Sequence, residues 1–134
     1  MHRRGGNGLR LLVTLAELLD AHAADAVCDL QTIGRTSGRR RTIEMWFATD
    51  GERIYLLAGG RDDAHWIRNL RAEPRVRVRI GGQTVEGTAR VIEGHARDPL
   101  ARRLLATKYQ GWTEGDPLSS WAEGSLPVEV SIAG

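Results

Sequence analysis

The fold is decided by the stretch Arg75-Val-Arg-Val-Arg-Ile80, then Gly81-Gly82, then Gln83 to Ile92. Strict alternation of arginine with an apolar residue indicates a half-buried β-strand, because successive side chains point to opposite faces of a sheet. The glycine pair predicts a two-residue hairpin turn, which needs positive φ angles. Counting back from this turn gives two chemically matched cross-strand pairs, Val78 with Val85 and Arg77 with Glu86. The stretch therefore predicts an antiparallel hairpin of defined register.

A second hairpin is predicted from Thr42–Ala48 and Arg53–Ala58, which are separated by Asp50-Gly51. The Asp-Gly dipeptide favours a type I′ turn, so we expect Asp50 and Gly51 to be its two central residues. The resulting register places an apolar set on the core face of the sheet: Phe47 opposite Ile54, and Met45 opposite Leu56. The other face receives a mixed set that suits a ligand-facing wall: Trp46 opposite Tyr55, Glu44 opposite Leu57, and Thr42 opposite Gly59.

The rest of the chain adds two strands and three helices. Strands are predicted at Val27–Ile33 and Pro127–Ile132, and the spacing of apolar residues predicts helices over 8–24, 62–72 and 97–110. The fold class is therefore α+β, with about six mainly antiparallel strands and three peripheral helices. Short antiparallel strands in a chain of this size usually close into a barrel, because closure removes exposed strand edges.

Length and composition limit the possible classes of protein. The 134 residues predict a single domain over 1–134, in which we expect residues 1–7 to be flexible. The lone cysteine excludes an internal disulfide and a multi-cysteine zinc site, so no metal is expected. No apolar run reaches the ~20 residues of a membrane span. We expect a cytoplasmic protein; the alternative is an N-terminal signal peptide, which Glu17 and Asp20 disfavour because they would interrupt its apolar segment.

The segment Gly34-Arg-Thr-Ser-Gly-Arg-Arg-Arg41 carries the clearest chemical signal. Its glycines allow a tight turn and a close approach to a ligand, and Thr36 and Ser37 offer hydroxyl groups. A guanidinium group donates two parallel hydrogen bonds and stays charged, so the four arginines indicate a phosphate or polycarboxylate ligand. The spacing is neither a Walker loop nor a Rossmann fingerprint. A solvated basic hairpin is the alternative interpretation.

Nucleic acid is a second polyanion to consider. Arg75, Arg77 and Arg79 would form a basic ridge along one face of a strand, where phosphates could bind. However, Glu86 neutralises part of the ridge, and the formal net charge is only +2. No recognition helix or base-stacking motif is present either. The sequence therefore favours a solvated edge strand here and predicts no nucleic-acid partner.

Three motifs follow one another in a characteristic order. They are Thr32-Ile-Gly-Arg-Thr-Ser-Gly38 with an arginine three residues on, the Asp50-Gly51 hairpin, and Trp66-Ile-Arg-Asn-Leu70 followed by Ala-Glu-Pro-Arg-Val76. Over roughly residues 27–93 this order resembles the deazaflavin (F420)-dependent nitroreductase family, a branch of the split β-barrel flavin and deazaflavin oxidoreductases. The resemblance implies a split β-barrel that binds coenzyme F420. It also implies hydride transfer from the reduced deazaflavin to a small electron-poor acceptor, such as a nitroaromatic, a quinone or an activated enone.

The resemblance also implies roles for individual residues. The phosphate loop of the family falls on Arg35, Thr36, Ser37 and Arg41, with Arg39 adding charge. Contacts to the deazaflavin ring region fall on Glu44, Leu57, Gly59, Trp66 and Asn69. The aromatic residues expected on the acceptor side are Trp46, Tyr109 and Trp112, and the candidate proton donors are His65 and Tyr109. Glu44 departs from the family pattern, in which proline is often found at this position. A carboxylate there would repel an anionic cofactor unless it is protonated or paired with Arg39 or Arg41.

Two other functions remain open at this point. FMN also carries a phosphate and a planar ring, so an FMN-dependent oxidoreductase on the same fold is one alternative. A carrier protein that holds a deazaflavin or haem without turnover is the other. Split barrels of this kind commonly dimerise, so the resemblance also implies a possible homodimer.

Overall fold

The computed structural model describes residues 16–132, which form seven strands and several helices around one curled sheet. The strands are β1 (Cys28–Ile33), β2 (Arg40–Met45), β3 (Ala48–Thr49), β4 (Arg53–Ala58), β5 (Arg75–Ile80), β6 (Gln83–Val91) and β7 (Leu126–Ile132). The helices are α1 (His65–Ala72), α2 (Asp98–Gln110) and α3 (Ser120–Gly124). Residues 16–21 are also helical, and a 3₁₀ turn covers Arg61–Asp63.

The strands lie in the order β2-β1-β5-β6-β7-β4-β3, and every neighbouring pair is antiparallel. The two outermost strands, β2 and β3, are consecutive in the chain and are linked only by Trp46 and Phe47. The sheet must therefore curl until its two edges meet at this link. This is a split β-barrel, as the sequence predicts, with seven strands where about six were expected.

Two apolar clusters cover the two faces of the sheet. The barrel interior is filled by alternate residues of each long strand, including Leu30, Leu56, Val78 and Val128, all of which are fully buried. Outside the barrel, α2 packs against β4 through a second cluster. Its buried members are Ala48, Tyr55, Leu57, Ile92, Ala101 and Leu105. Burial of one such large apolar side chain contributes about 1.5–3 kcal/mol, so both clusters hold the strands in place.

The hairpin predicted at Gly81-Gly82 is confirmed. Both glycines have positive φ angles, 56° and 80°, which a two-residue turn of the I′ type requires. The register is also as predicted, with Val78 opposite Val85 and Arg77 opposite Glu86. The Arg77 Nε and Glu86 Oε2 atoms are 2.9 Å apart.

The hairpin predicted around Asp50-Gly51 has a different register. Ala48 pairs with Tyr55 and Thr49 with Ile54, so the turn occupies residues 50–53. The longer turn forms because the Asp50 carboxylate accepts hydrogen bonds from the backbone N–H groups of Glu52 and Arg53. The predicted Phe47–Ile54 and Trp46–Tyr55 pairs are therefore wrong. The predicted faces of Phe47 and Ile54 are nevertheless correct, since a shift of two residues keeps each side chain on its side of the sheet.

The pairs predicted further from the turn are wrong for a second reason. The strand predicted over Thr42–Ala48 breaks at Trp46 and Phe47, and residues before the break leave β4 to pair with β1. Glu44 therefore lies opposite Asp29 rather than Leu57, and Thr42 lies opposite Gln31 rather than Gly59. Met45, predicted opposite Leu56, lies opposite Cys28.

The helices agree with the predictions in position, with corrections at their ends. Residues 16–21 are helical and bury Leu18 and Leu19 against the barrel. They are part of the helix predicted over 8–24. Residues 8–15 of that prediction lie outside the described residues, as does the segment 1–7. The helix predicted over 62–72 divides at Ala64, whose extended backbone separates the 3₁₀ turn from α1. Helix α3 was not predicted, and the Ser119 hydroxyl caps it by accepting from the Ala122 N–H. No helix within residues 16–132 is long and apolar enough to cross a membrane.

Candidate functional site

The loop between β1 and β2 is a tight basic turn. Gly34 closes it from both sides: its N–H donates to the Arg39 carbonyl at 2.7 Å, and its own carbonyl accepts from the Gly38 N–H at 2.8 Å. A Cβ atom at Gly34 would lie 2.8 Å from Ser37 Oγ and 3.2 Å from the Arg39 carbonyl oxygen, so a larger residue would force the loop to shift. Gly38 has a φ angle of 72°, which glycine adopts readily. The two glycines thus allow the loop to fold back over its own backbone.

This loop and helix α1 form the walls of a cleft of about 800 Å³. The residues that line it are Thr32, Gly34, Arg35, Thr36, Ser37, Arg40, Arg41, Thr42, Ile43, His65, Trp66 and Asn69. No carboxylate is among these lining residues. Guanidinium and hydroxyl donors without an acidic neighbour suit an anion such as a phosphate or a carboxylate.

Arg35 is held in the cleft wall by residues of α1. Its backbone N–H and its Nη1 both donate to Asn69 Oδ1, at 3.2 and 2.8 Å. Its Nη2 lies 3.3 Å from His65 Nδ1. Asn69 is in turn fixed by a buried hydrogen bond from its Nδ2 to Thr32 Oγ1, at 3.2 Å. The guanidinium of Arg35 is therefore oriented before any ligand binds.

Arg40 and Arg41 differ from most arginines of the structure because they form no salt bridge within residues 16–132. Both are exposed and both line the cleft. On the predicted basic ridge, by contrast, Arg75 pairs with Glu73 and Arg77 with Glu86. Arg79 of the ridge also forms no ion pair within the described residues, but the cleft holds three such arginines: Arg35, Arg40 and Arg41.

A second group of functional candidates is an aromatic cluster, formed by Trp46, Tyr109 and Trp121. The rings of Trp46 and Tyr109 are stacked in parallel, with centroids 4.3 Å apart and an interplanar angle of 2°. Trp121 meets Trp46 edge-on at 5.4 Å. Trp46 is 46% exposed and is the one large hydrophobic residue classed as exposed within residues 16–132. The cluster therefore offers a rigid, open aromatic surface.

The backbone that carries Trp46 is fixed by two neighbouring residues of α2. The Phe47 carbonyl accepts from Lys108 Nζ at 2.9 Å, and the Phe47 N–H donates to the Tyr109 hydroxyl at 3.0 Å. The Tyr109 hydroxyl also donates to the Ala26 carbonyl at 2.8 Å. Burial raises the pKa of Tyr109 and lowers the pKa of Lys108. These contacts commit the Tyr109 hydroxyl to backbone groups.

The structure brings most of the predicted anion-binding residues together. The predicted site residues that line the cleft are Arg35, Thr36, Ser37, Arg41, His65, Trp66 and Asn69. Of the predicted cofactor-binding residues, those that do not line it are Arg39, Glu44, Leu57 and Gly59. Leu57 belongs instead to the cluster beneath α2, and Gly59 faces Trp121. The candidate proton donor His65 lies beside Arg35, in the lining of the cleft.

Two predicted residues lie in surroundings that the sequence did not indicate. Glu44 is exposed and forms no ion pair with Arg39 or Arg41. Trp112 lies apart from Trp46 and Tyr109, because its Nε1 donates to the Asp116 carbonyl within the loop after α2. There it lines a separate pocket of about 350 Å³ next to Arg102 and Arg103.

Several residues of these two sites were not among the predicted site residues; besides those named next, they include the cleft-lining Gly34, Thr42 and Ile43. Arg40 and Thr32 line the cleft, and Trp121 completes the aromatic cluster. A signal for Thr32 was present in the sequence, because Thr32 shares the inward face of β1 with Cys28 and Leu30. A polar residue at the end of such an apolar face indicates a site. Within residues 16–132 no group of three or more His, Cys, Asp or Glu residues is placed to hold a metal ion.

Comparison with known proteins identifies the family. The sequence profile described as F420H(2)-dependent quinone reductase matches residues 16–132. The chain belongs to the F420H(2)-dependent quinone reductase family. Coenzyme F420 is the cofactor of this family, so the resemblance inferred from the motifs and the cofactor expected from it are confirmed. The donor set of the cleft fits this cofactor, since F420 carries a phosphate and a tail of carboxylates.

Relatives of the family are found in mycobacteria. The F420H(2)-dependent quinone reductase Rv1261c of Mycobacterium tuberculosis is 31% identical over 78 residues, which are 56% of this chain and 51% of that protein. The chain thus spans about half the length of this relative and of two others with the same match.

Solved structures of similar shape support the fold. An F420H2-dependent reductase, FDR-A, has a TM-score of 0.59 and 24% identity, with 81% of this chain and 95% of that one covered. HutZ, a haem storage protein of Vibrio cholerae, has a TM-score of 0.64 and 13% identity, with 90% and 89% covered. At these identities the likeness concerns the fold alone, which is the split β-barrel.

Proposed function

We propose that this chain is an F420-dependent quinone reductase, whose cleft holds the anionic part of the cofactor. The observation that carries the proposal is the cleft itself, in which Arg40 and Arg41 lack acidic partners among the described residues, in a chain of this family. When bound, reduced F420 supplies a hydride to the acceptor. The protein contributes binding, orientation and electrostatic stabilisation.

The residues proposed to bind the phosphate and the carboxylate tail are Arg35, Thr36, Ser37, Arg40 and Arg41. The loop presents the hydroxyl groups, while Arg40 and Arg41 extend the positive surface along β2. Arg39 lies outside the cleft lining and adds charge at a distance. Trp66, which is half-buried in the wall, offers a flat apolar surface next to these donors.

The acceptor is proposed to bind on the exposed side of Trp46. An electron-poor planar molecule stacks favourably on an indole ring, and the other face of this ring is already supported by Tyr109. A quinone meets these requirements; nitroaromatics and activated enones are the wider range of acceptors to be compared with it. A proton for the reduced acceptor is assigned to solvent, because the Tyr109 hydroxyl is engaged with backbone groups.

The test measures turnover by the purified protein with reduced F420 and with menadione as the quinone probe. The increase in absorbance of the oxidised deazaflavin monitors the reaction. We expect protein-dependent oxidation, weakened by Arg41→Ala through the affinity for F420 and by Trp46→Ala through the KM for menadione. Trp112→Phe is the matched aromatic control and leaves both constants unchanged. Reduced F420 that neither binds nor reacts would contradict the proposal.

Two outcomes would identify the alternative functions. Purification of a yellow protein that retains FMN and ignores F420 would indicate an FMN-dependent enzyme. Tight F420 or haem binding without turnover of any quinone, nitroaromatic or enone would indicate a carrier. The homodimer implied by the family resemblance is part of the same proposal, and light scattering of the purified chain checks it.

A further inference from the structure

Asn69 lines the cleft, yet its polar atoms are engaged within the protein. The residue is only 4% exposed. Its Oδ1 accepts two hydrogen bonds from Arg35, one from the backbone N–H and one from Nη1. Its Nδ2 donates to Thr32 Oγ1 in a buried contact. Both acceptor positions of Oδ1 are therefore occupied by Arg35, and of the two Nδ2 protons one is bound to Thr32.

The two hydrogen bonds between Arg35 and Asn69 hold different ends of Arg35. The backbone bond ties the basic loop to α1, and the guanidinium bond fixes the far end of the side chain. A free arginine side chain loses considerable rotamer entropy when it binds a ligand. Because Asn69 has already restricted Arg35, less of this entropy remains to be lost when an anion binds.

Thr32 completes the arrangement from the barrel side. It is 1% exposed and lies on the inward face of β1. Its hydroxyl holds the amide of Asn69 in the orientation that directs Oδ1 toward Arg35. The chain of contacts therefore runs from the barrel interior, through Asn69, to the charge in the cleft wall.

We infer that Asn69 is a positioning residue, which acts on the anionic ligand through Arg35 and does not contact the cofactor ring. This differs from the role that the family resemblance implied for Asn69. The inference rests on the proposed function, since it assumes that Arg35 binds the anionic part of F420.

A double-mutant cycle tests the inference. Oxidised F420 is titrated calorimetrically into wild type, Arg35→Met, Asn69→Ala and the double variant. Loss of a charge-assisted hydrogen bond predicts binding roughly tenfold or more weaker for Arg35→Met, and a smaller loss for Asn69→Ala. The double variant binds as Arg35→Met does, within about twofold. Additive losses would overturn the inference, because they would mean that Asn69 does not act on the ligand through the Arg35 guanidinium.

The salt dependence of binding separates positioning from a purely structural role. Removing Arg35 reduces the sensitivity of F420 affinity to ionic strength, because one cation no longer acts on the ligand. Asn69→Ala reduces it too if Asn69 places that cation. Unchanged salt sensitivity combined with a lower melting temperature would show that Asn69 only stabilises the fold, and would refute the inference.

The conservative pair Thr32→Ser and Thr32→Val provides a rescue test. Serine keeps the hydroxyl and retains wild-type affinity within about twofold, whereas valine keeps the shape and weakens binding several-fold. Combined with Asn69→Ala, Thr32→Val causes no further loss of F420 affinity. Equal affinities for the serine and valine variants would contradict the role given to Thr32.

Failure of the inference and failure of the proposed function give different results. If wild type does not bind F420, the proposed function fails. The contact between Arg35 and Asn69 is then tested by thermal unfolding of the same four proteins without ligand. We expect coupling between the two substitutions, so that the loss of stability in the double variant differs from the sum of the two single losses. Absence of this coupling overturns the inference regardless of binding. Arg79→Met, an exposed arginine of β5 outside the cleft, is the charge control and retains full affinity.

Discussion

Substitution of Glu129 by glutamine should destabilise the protein more than any single surface charge does. Glu129 is only 2% exposed, on the face of β7 that α2 covers. Its carboxylate accepts from Arg90 Nε at 3.2 Å and from Arg97 Nε, and Arg53 Nε lies 3.7 Å away. Glutamine has nearly the same shape, so the substitution removes mainly the charge.

The size of the effect depends on how deeply the carboxylate and its arginine partners are buried. Breaking a fully buried pair costs about 3–5 kcal/mol, whereas a fully exposed pair contributes about 0–1 kcal/mol. The side chains of Arg53, Arg90 and Arg97 are 31%, 54% and 35% exposed. They can turn partly toward water, so we expect a loss of about 2–3 kcal/mol in the free energy of unfolding. For a chain of this length the melting temperature falls by roughly 6–12 °C.

The effect should also depend on pH. Burial alone would raise the pKa of Glu129, but the hydrogen bonds from Arg97 and Arg90 outweigh it and hold the pKa below its usual value. A carboxyl group whose pKa is lower in the folded state stabilises the protein above its unfolded pKa, about 4.3. This stabilisation is lost as the pH falls through the folded pKa. The difference between wild type and Glu129→Gln should therefore shrink in acid.

Thermal unfolding followed by circular dichroism at pH 7 and at pH 3 measures both effects. Glu86→Gln is the matched control, because its ion pair with Arg77 is exposed on both sides, and it should lower the melting temperature by no more than ~4 °C. Equal losses for the two variants at pH 7, or an undiminished loss for Glu129→Gln in acid, would refute the reasoning.

Three further predictions concern other residues. Gly34→Ala should weaken F420 binding several-fold in a calorimetric titration, because its Cβ would lie 2.8 Å from Ser37 Oγ and displace the loop. Cys28 should resist thiol reagents in the native protein and react after denaturation, since burial raises its pKa to about 12; a colorimetric thiol assay checks this. Lys108→Met should cost about 1–2 kcal/mol in chemical unfolding, because it removes the hydrogen bond to the Phe47 carbonyl and the cation–π contact with its ring.

The parts of the fold that depend on local patterns could be predicted from the sequence. The alternation in β5 and the glycine pair after it determine both strand pairing and register, because the turn and the two strands that it joins are adjacent in the chain. The Asp50 turn could not be predicted in the same way. Its length depends on hydrogen bonds that the Asp50 carboxylate accepts from the N–H groups of Glu52 and Arg53 and from the Tyr55 hydroxyl. These bonds favour a longer turn than the two-residue turn that the dipeptide predicts.

The site shows the same division. The basic loop could be predicted because glycines, hydroxyls and arginines are adjacent in the chain. The partner of β2 could not, since it depends on a break at Trp46 and Phe47 that Lys108 and Tyr109 fix from a distant helix. The predicted wall of Glu44, Leu57 and Gly59 relied on the wrong hairpin pairing. The structure places Glu44 opposite Asp29, whereas Leu57 and Gly59 both lie near Trp121.

The position of Trp46, directly after β2, has a consequence for how this protein can vary. Arg41 and Trp46 are five residues apart in the chain, and five residues of extended strand span about 17 Å. One inserted residue would lengthen this span by about 3.3 Å and also turn the indole toward the opposite face of the sheet. Changes in the turn at 50–53 leave the span unaltered. Natural variants are therefore expected to keep the length of β2 constant and to differ in length at that turn.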